Sequence, residues 1–163
     1  MNDAHLHLIV NHFPIIGAIF GLGIVIFGII LKNSTLKNVA YSLFIIATIS
    51  GALSMNTGEG AEEIAEQLPD VTHHIIHEHE EAAEKLMLVL YALGVFSILG
   101  LFLNFKNHAK ANFVSYFVLI LAIIAVYFGK LTGTSGGEIR HTEIRENTVL
   151  NTDKHDEHEE HEH

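Results

Sequence analysis

The chain has 163 residues, of which 49% are hydrophobic and only 17% charged, with a formal net charge of −10 and no cysteine. Those proportions point to a membrane protein rather than a water-soluble domain. They exclude a disulfide framework, a thiolate metal site and a cysteine nucleophile, and the acidic balance argues against nucleic acid as a partner.

The opening "MNDAHLHLIV" has no basic region and no small-residue cleavage site, so the first apolar run is expected to stay as a membrane span over 8–31. "NHFPIIG" interrupts that run with Asn11, His12 and Pro14. A helix that starts near Asp3, the expected N-cap, carries Pro14 inside it and leaves the Val10 carbonyl without a donor. His12 then lies below the first apolar residue, where an imidazole is costly unless it faces a neighbouring helix or a ligand. Both roles stay open for it.

Three further apolar segments, 38–56, 86–105 and 112–132, reach the roughly 20 residues a bilayer requires. The second carries Thr48, Ser50 and Ser54, whose hydroxyls can bond helix carbonyls. Gly17/Gly21 and Ala47/Gly51 are small residues four apart, a spacing that lets helices approach closely. The connections 32–37 and 106–111 are short, so the expected fold is all-α, an antiparallel four-helix membrane bundle over 1–145 followed by a tail, 146–163.

Between the second and third spans, "GAEEIAEQL" reads as a short amphipathic helix broken by Pro69 and Asp70. Asp70 or Thr72 is then expected to cap a helix that continues into the third span. Beyond the fourth span, Gly136-Gly137 reads as a turn that folds the chain back over the bundle end. The final "DKHDEHEEHEH" is low in complexity. It is expected to collect metal loosely through His155, His158 and His161, or simply to solubilise.

Charge sets the orientation. The two short loops hold Lys32, Lys37, Lys106 and Lys110 and no acid, whereas all 19 acidic residues lie at the other end. The positive-inside rule puts the lysine loops in the cytoplasm and both termini on the periplasmic side of a bacterial inner membrane. Of the 13 histidines, only His108 falls on the cytoplasmic side.

This one-sided density is the basis of the functional expectation. His73 and His77 are four apart, as are His77 and Glu81, so each pair shares a helix face and can chelate a divalent ion. Outer-end residues of several spans, His12, Glu59, His77, His79, Glu81 and His141, are expected to form a shared site for Zn, Fe, Mn or Cu. "HEHEE" is not the zinc-protease motif, because position 81 is Glu, and no Ser nucleophile elbow or phosphate-binding Gly loop occurs. Nothing in the sequence points to catalysis.

"HLIVNHFPIIG" resembles the opening of a family of uncharacterised four-span bacterial membrane proteins, which begin His-Pro and continue to His-Phe-Pro-Ile. His7, His12, Phe13, Pro14 and Ile15 match, and Leu8 stands where the family has Pro. "HEEAAEKLMLVLYAL", with His79, and "YFGKLTGTSGGEIRHTEI", with His141, resemble later family segments, so the likeness covers roughly 5–145. Relatives are sometimes fused to Rieske or cytochrome c domains. The resemblance implies an electron-transfer subunit of a respiratory or other membrane complex, with b-type haem or quinone held near His7, His12, His79 and His141. The readings carried forward are a metal-binding membrane protein, a haem- or quinone-linked subunit, and a non-catalytic accessory subunit. A homo-oligomer fits any of them.

Overall fold

The first helix begins one residue earlier than the sequence predicts. Asn2, extended in backbone, accepts the His5 amide on its side chain at 3.0 Å, so Asn2 rather than Asp3 is the cap. The computed structural model describes residues 2–145, and the tail histidines His155, His158 and His161 lie outside them. α1 (Asp3–Val10) and α2 (His12–Ile30) form one span broken at Asn11. Pro14, the third residue of α2, has no N–H to offer the Val10 carbonyl, which accounts for a break just there.

Three long helices follow: α3 (Ser34–Ala65), α4 (His73–Phe105) and α5 (Ala111–Arg140), with a 3-10 turn over Thr142–Ile144. Asn33 caps α3 by accepting the Leu36 amide at 3.1 Å. Thr72 caps α4, as one of the two expected candidates. Lys32 (φ 51°) and Asn107 (φ 49°) take the left-handed conformation just past α2 and α4. Asn33 N–H then reaches the Gly28 carbonyl and His108 N–H the Leu103 carbonyl, both at 2.9 Å, which closes the two helix ends.

Two expected interruptions are absent. α3 runs through "TGEGAEEIA" without a break, so the separate amphipathic helix does not exist. α1 packs along α3 here, and a Cβ on Gly60 would stand 2.6 Å from the Asp3 Cβ. The glycine is therefore a seat for a neighbour rather than a helix end. α5 likewise stays helical through Gly136 and Gly137, and the chain turns only at His141.

α2, α3, α4 and α5 form a closed ring in which each packs on its chain neighbours and α5 returns to α2. The buried centre combines Val25, Phe44, Leu90, Leu93 and Val118 with Ala18, Ala40, Ala47, Ala122 and Ala125. Gly17 faces Ala47, Gly51 faces Met87 and Gly94 faces Thr48, so the small residues read from the sequence do serve packing within the bundle. The Thr48 hydroxyl lies 2.8 Å from the Phe44 carbonyl and 2.9 Å from the Leu90 carbonyl, joining α3 to α4. Thr48→Val should cost about 0.6 kcal/mol in thermal unfolding in detergent. An unchanged unfolding curve would mean that the link to Leu90 contributes nothing.

The outside of the ring is apolar. Leu88 is 71% exposed, Phe105 72% and Ile30 68%, among many others. Water does not tolerate so continuous an apolar belt, whereas lipid does. With four helices long and apolar enough to cross a bilayer, the chain is an integral membrane protein. The 32 residues of α3 and 33 of α4 make rods about 48–50 Å long, against roughly 30 Å of hydrocarbon. The excess length lies at the acidic end, beyond 38–56 and 86–105, and carries the candidate site.

Candidate functional site

Glu62 and Glu66 are four apart on the protruding end of α3, and Glu66 is its C-cap. Pro69 and a left-handed Asp70 (φ 66°) then reverse the chain. Arg145 holds this turn: its guanidinium donates to the Asp70 carbonyl at 2.8 Å, to Glu138 O at 2.8 Å and to Ile139 O at 3.2 Å. The reversal brings His73, the first residue of α4, back onto α3. Its Nδ1 lies 2.9 Å from Glu66 Oε1.

Glu62, Glu66 and His73 each place one donor atom within 4.8 Å of the others. Among the described residues this is the one such group of three. Two carboxylates and an imidazole can hold a borderline divalent cation, with water filling the remaining positions. The local field favours a cation too. Partial burial and the neighbouring Glu80 and Glu66 push the Glu62 carboxyl above the usual carboxylate range.

Of the histidines expected to bind metal, only His73 joins this group. His77 turns along its own helix to Glu80 (3.8 Å) and Glu81 (3.4 Å), and Glu81 is also held by Lys85 at 3.0 Å. His73 and His77 thus turn to different carboxylates, Glu66 on α3 and Glu81 on α4. His141 pairs with Glu143 at 2.9 Å. The Glu143 backbone N–H and His141 hold that carboxyl below its usual range. Among the described residues, His12, Glu59, His77, His79, Glu81 and His141 do not come together as a group of three or more donors: His77 and Glu81 pair along α4, His79 meets Ser135, His141 pairs with Glu143, and His12 and Glu59 are exposed.

Nor does His12 face the bundle. His12 is exposed, and His7, five residues earlier, is the half-buried histidine that faces α3. The His7 Nδ1 lies 3.0 Å from the Ser54 carbonyl and 3.3 Å from the Thr57 hydroxyl, both on α3. His79, partly buried two turns before Leu86, sets its Nδ1 3.1 Å from Ser135 Oγ of α5. Its ring stands where a Cβ on Gly136 would be, 2.9 Å from Cε1. Burial first, and the nearby His7 second, hold the His79 imidazole below the usual histidine range. Both rings are held through Nδ1, and the Thr132 carbonyl also accepts from the His79 ring.

Sequence reasoning missed Glu62, Glu66, Thr57 and Ser135, and it did not connect Ser54 with His7. The signal for the first two was present as Glu-x-x-x-Glu seven residues before His73. It requires knowing that α3 continues past Gly60. No protein-family model, curated protein or solved structure matches the chain.

Proposed function

We propose that this membrane protein binds a divalent transition metal through Glu62, Glu66 and His73, as a metal-handling or redox component at the periplasmic face of a bacterial inner membrane. The observation that carries the reading is the convergence of three donors from two helices within 4.8 Å. The donor set suits Zn²⁺, Fe²⁺ or Mn²⁺, and Cu²⁺ where a further imidazole is recruited. The orientation rests on the four lysines of the short loops.

A second reading, a haem- or quinone-linked electron-transfer subunit, is favoured by His7 and His79, two half-buried histidines near one another at the acidic end of the bundle. The resemblance of the opening segment to a family with cytochrome-fused members supports it. It would use His7 and His79 of the four histidines named from the resemblance, since His12 and His141 are exposed.

Both readings are tested on the full-length chain with His155, His158, His161 and His163 replaced by Ala, so that the tail contributes no imidazole. Elemental analysis and an absorption spectrum are taken on detergent-purified protein. Stoichiometric metal that falls at least about tenfold in His73→Ala supports the first reading. Metal content unaffected by His73→Ala overturns it. A Soret band lost in His7→Ala supports the second. Colourless, metal-free protein that added Zn²⁺ does not stabilise leaves the accessory-subunit reading.

A further inference from the structure

The opposite end of the bundle carries an uncompensated positive charge. No Asp or Glu occurs between Asp3 and Glu59 or between Glu84 and Glu138, yet Lys32, Lys37, Lys106 and Lys110 lie in those stretches. Lys37, in the first turn of α3, is only 4% exposed. Gly28 of α2 makes room for its stem, since a Cβ there would stand 2.8 Å from Lys37 Cγ. Its ammonium donates to Asn112 Oδ1 of α5 at 2.8 Å, a neutral acceptor. The next acid along α3 is Glu59, about 33 Å away along the helix axis. Among the described residues, the one lysine ion pair is Lys85–Glu81, at the far end. Lys37 thus sets its ammonium beside the cavity with a neutral acceptor and no carboxylate partner, a place where an anion would be favoured.

The space for that anion is present. A cavity of about 110 Å³ is lined by Ile29, Lys32, Lys37, Asn112, Ser115 and Tyr116. Lys32 reaches this cavity from a left-handed backbone position, where lysine is poorly suited and glycine would be at ease. Asn112 turns its Oδ1 to Lys37, so its amide N–H groups remain as donors. The N-termini of α3 and α5 both lie at this end, and the first turn of α5 has no side-chain cap. The C-termini of α2 and α4 lie at the same end and offset these dipoles, so the positive field here comes from the lysines. The cavity sits level with the ends of the apolar segments, where phospholipid headgroups lie, and Ile29 and the 54%-exposed Tyr116 give it an apolar rim.

We propose that the cavity between α2, α3 and α5 is a phosphate-group site, filled by the headgroup phosphate of an anionic phospholipid and neutralised by Lys37 and Lys32. Basic pockets between membrane helices on the lysine-rich side have the right chemistry for such headgroups. The site is independent of the metal reading, since no residue is shared and the two lie at opposite ends of the bundle.

The test is native mass spectrometry of the full chain with dioleoylphosphatidylglycerol, dioleoylphosphatidylcholine and inorganic phosphate as probes. Phosphatidylglycerol should bind about tenfold or more tightly than phosphatidylcholine. The Lys32→Gln/Lys37→Gln variant should lose that preference, while Lys85→Gln keeps it. Equal phosphatidylglycerol affinity in wild type and in the double variant overturns the proposal. Should the double variant fail to fold, thermal unfolding of the unmodified chain decides. Stabilisation by phosphatidylglycerol but not phosphatidylcholine supports the site, and equal stabilisation by both overturns it. If inorganic phosphate displaces the lipid and itself stabilises the protein, the phosphate-group site stands with the free anion as occupant. If it does not displace the lipid, the occupant is the lipid.

Discussion

Gly21→Leu is expected to destabilise the bundle by about 1–3 kcal/mol in thermal unfolding in detergent. A Cβ at Gly21 would stand 2.8 Å from Cδ1 and 2.9 Å from Cζ of Phe44. Phe44 is fully buried, as are Ala18, Val25 and Ala47 of the same cluster, so the ring has no open space to enter. Any leucine here must therefore push α2 from α3 and forfeit contacts along the seam. In a bilayer that loss is not offset by solvent, because lipid tails are as apolar as leucine and helix association rests on close packing. Gly23 is the control on the same helix, since a Cβ there meets nothing within 4 Å. Gly23→Leu should stay within about 0.5 kcal/mol of the parent chain. Equal losses at both positions would show that glycine acts through helix propensity or insertion and not through the seam.

The elements whose boundaries depend on local chemistry were legible in the sequence. Apolar length gave the four spans, the small residues gave the α2–α3 seam, and Thr72 after Pro69-Asp70 gave the start of α4. What the sequence alone does not show is where a neighbouring helix decides the outcome. Gly60 and Gly136 look like helix breakers alone, but Asp3 and His79 pack against them and the helices continue. Helical phase explains the histidines. His7 and His12 differ by five residues, about 140° around a helix, so with His7 turned to α3 His12 is left exposed. The metal group has the same character. His73 was identifiable from its own helix, but its partners are on α3, across a turn whose geometry rests on Asp70 and Arg145.

Metal removal should cost most when the lost ligand has no substitute nearby. Glu66 lies 2.9 Å from His73 and holds it against α3, so Glu66→Gln should weaken Zn²⁺ binding at least about tenfold. Glu62→Gln should cost less, because Glu80 stands beside it as a replacement carboxylate. Glu62→Gln/Glu80→Gln should then match Glu66→Gln. The pH dependence has a definite sign. The Glu62 carboxyl is raised above the usual carboxylate range, so the metal-free folded state holds its proton to higher pH than the unfolded chain does. In the metal-free protein, stability is therefore lost as pH rises through that window. Zn²⁺ needs the ionised form and displaces the proton, so it cancels that loss. The stabilisation it confers must grow as pH rises from the carboxylate range towards 7. At a concentration of 100 Kd it should reach about 2.7 kcal/mol, if the unfolded chain does not bind. The measurement is the shift in unfolding temperature with and without Zn²⁺ across that range, in the chain with Ala at its four tail histidines. A shift independent of pH would mean that the ion is held by groups that do not titrate there, and that Glu62 is not among its ligands.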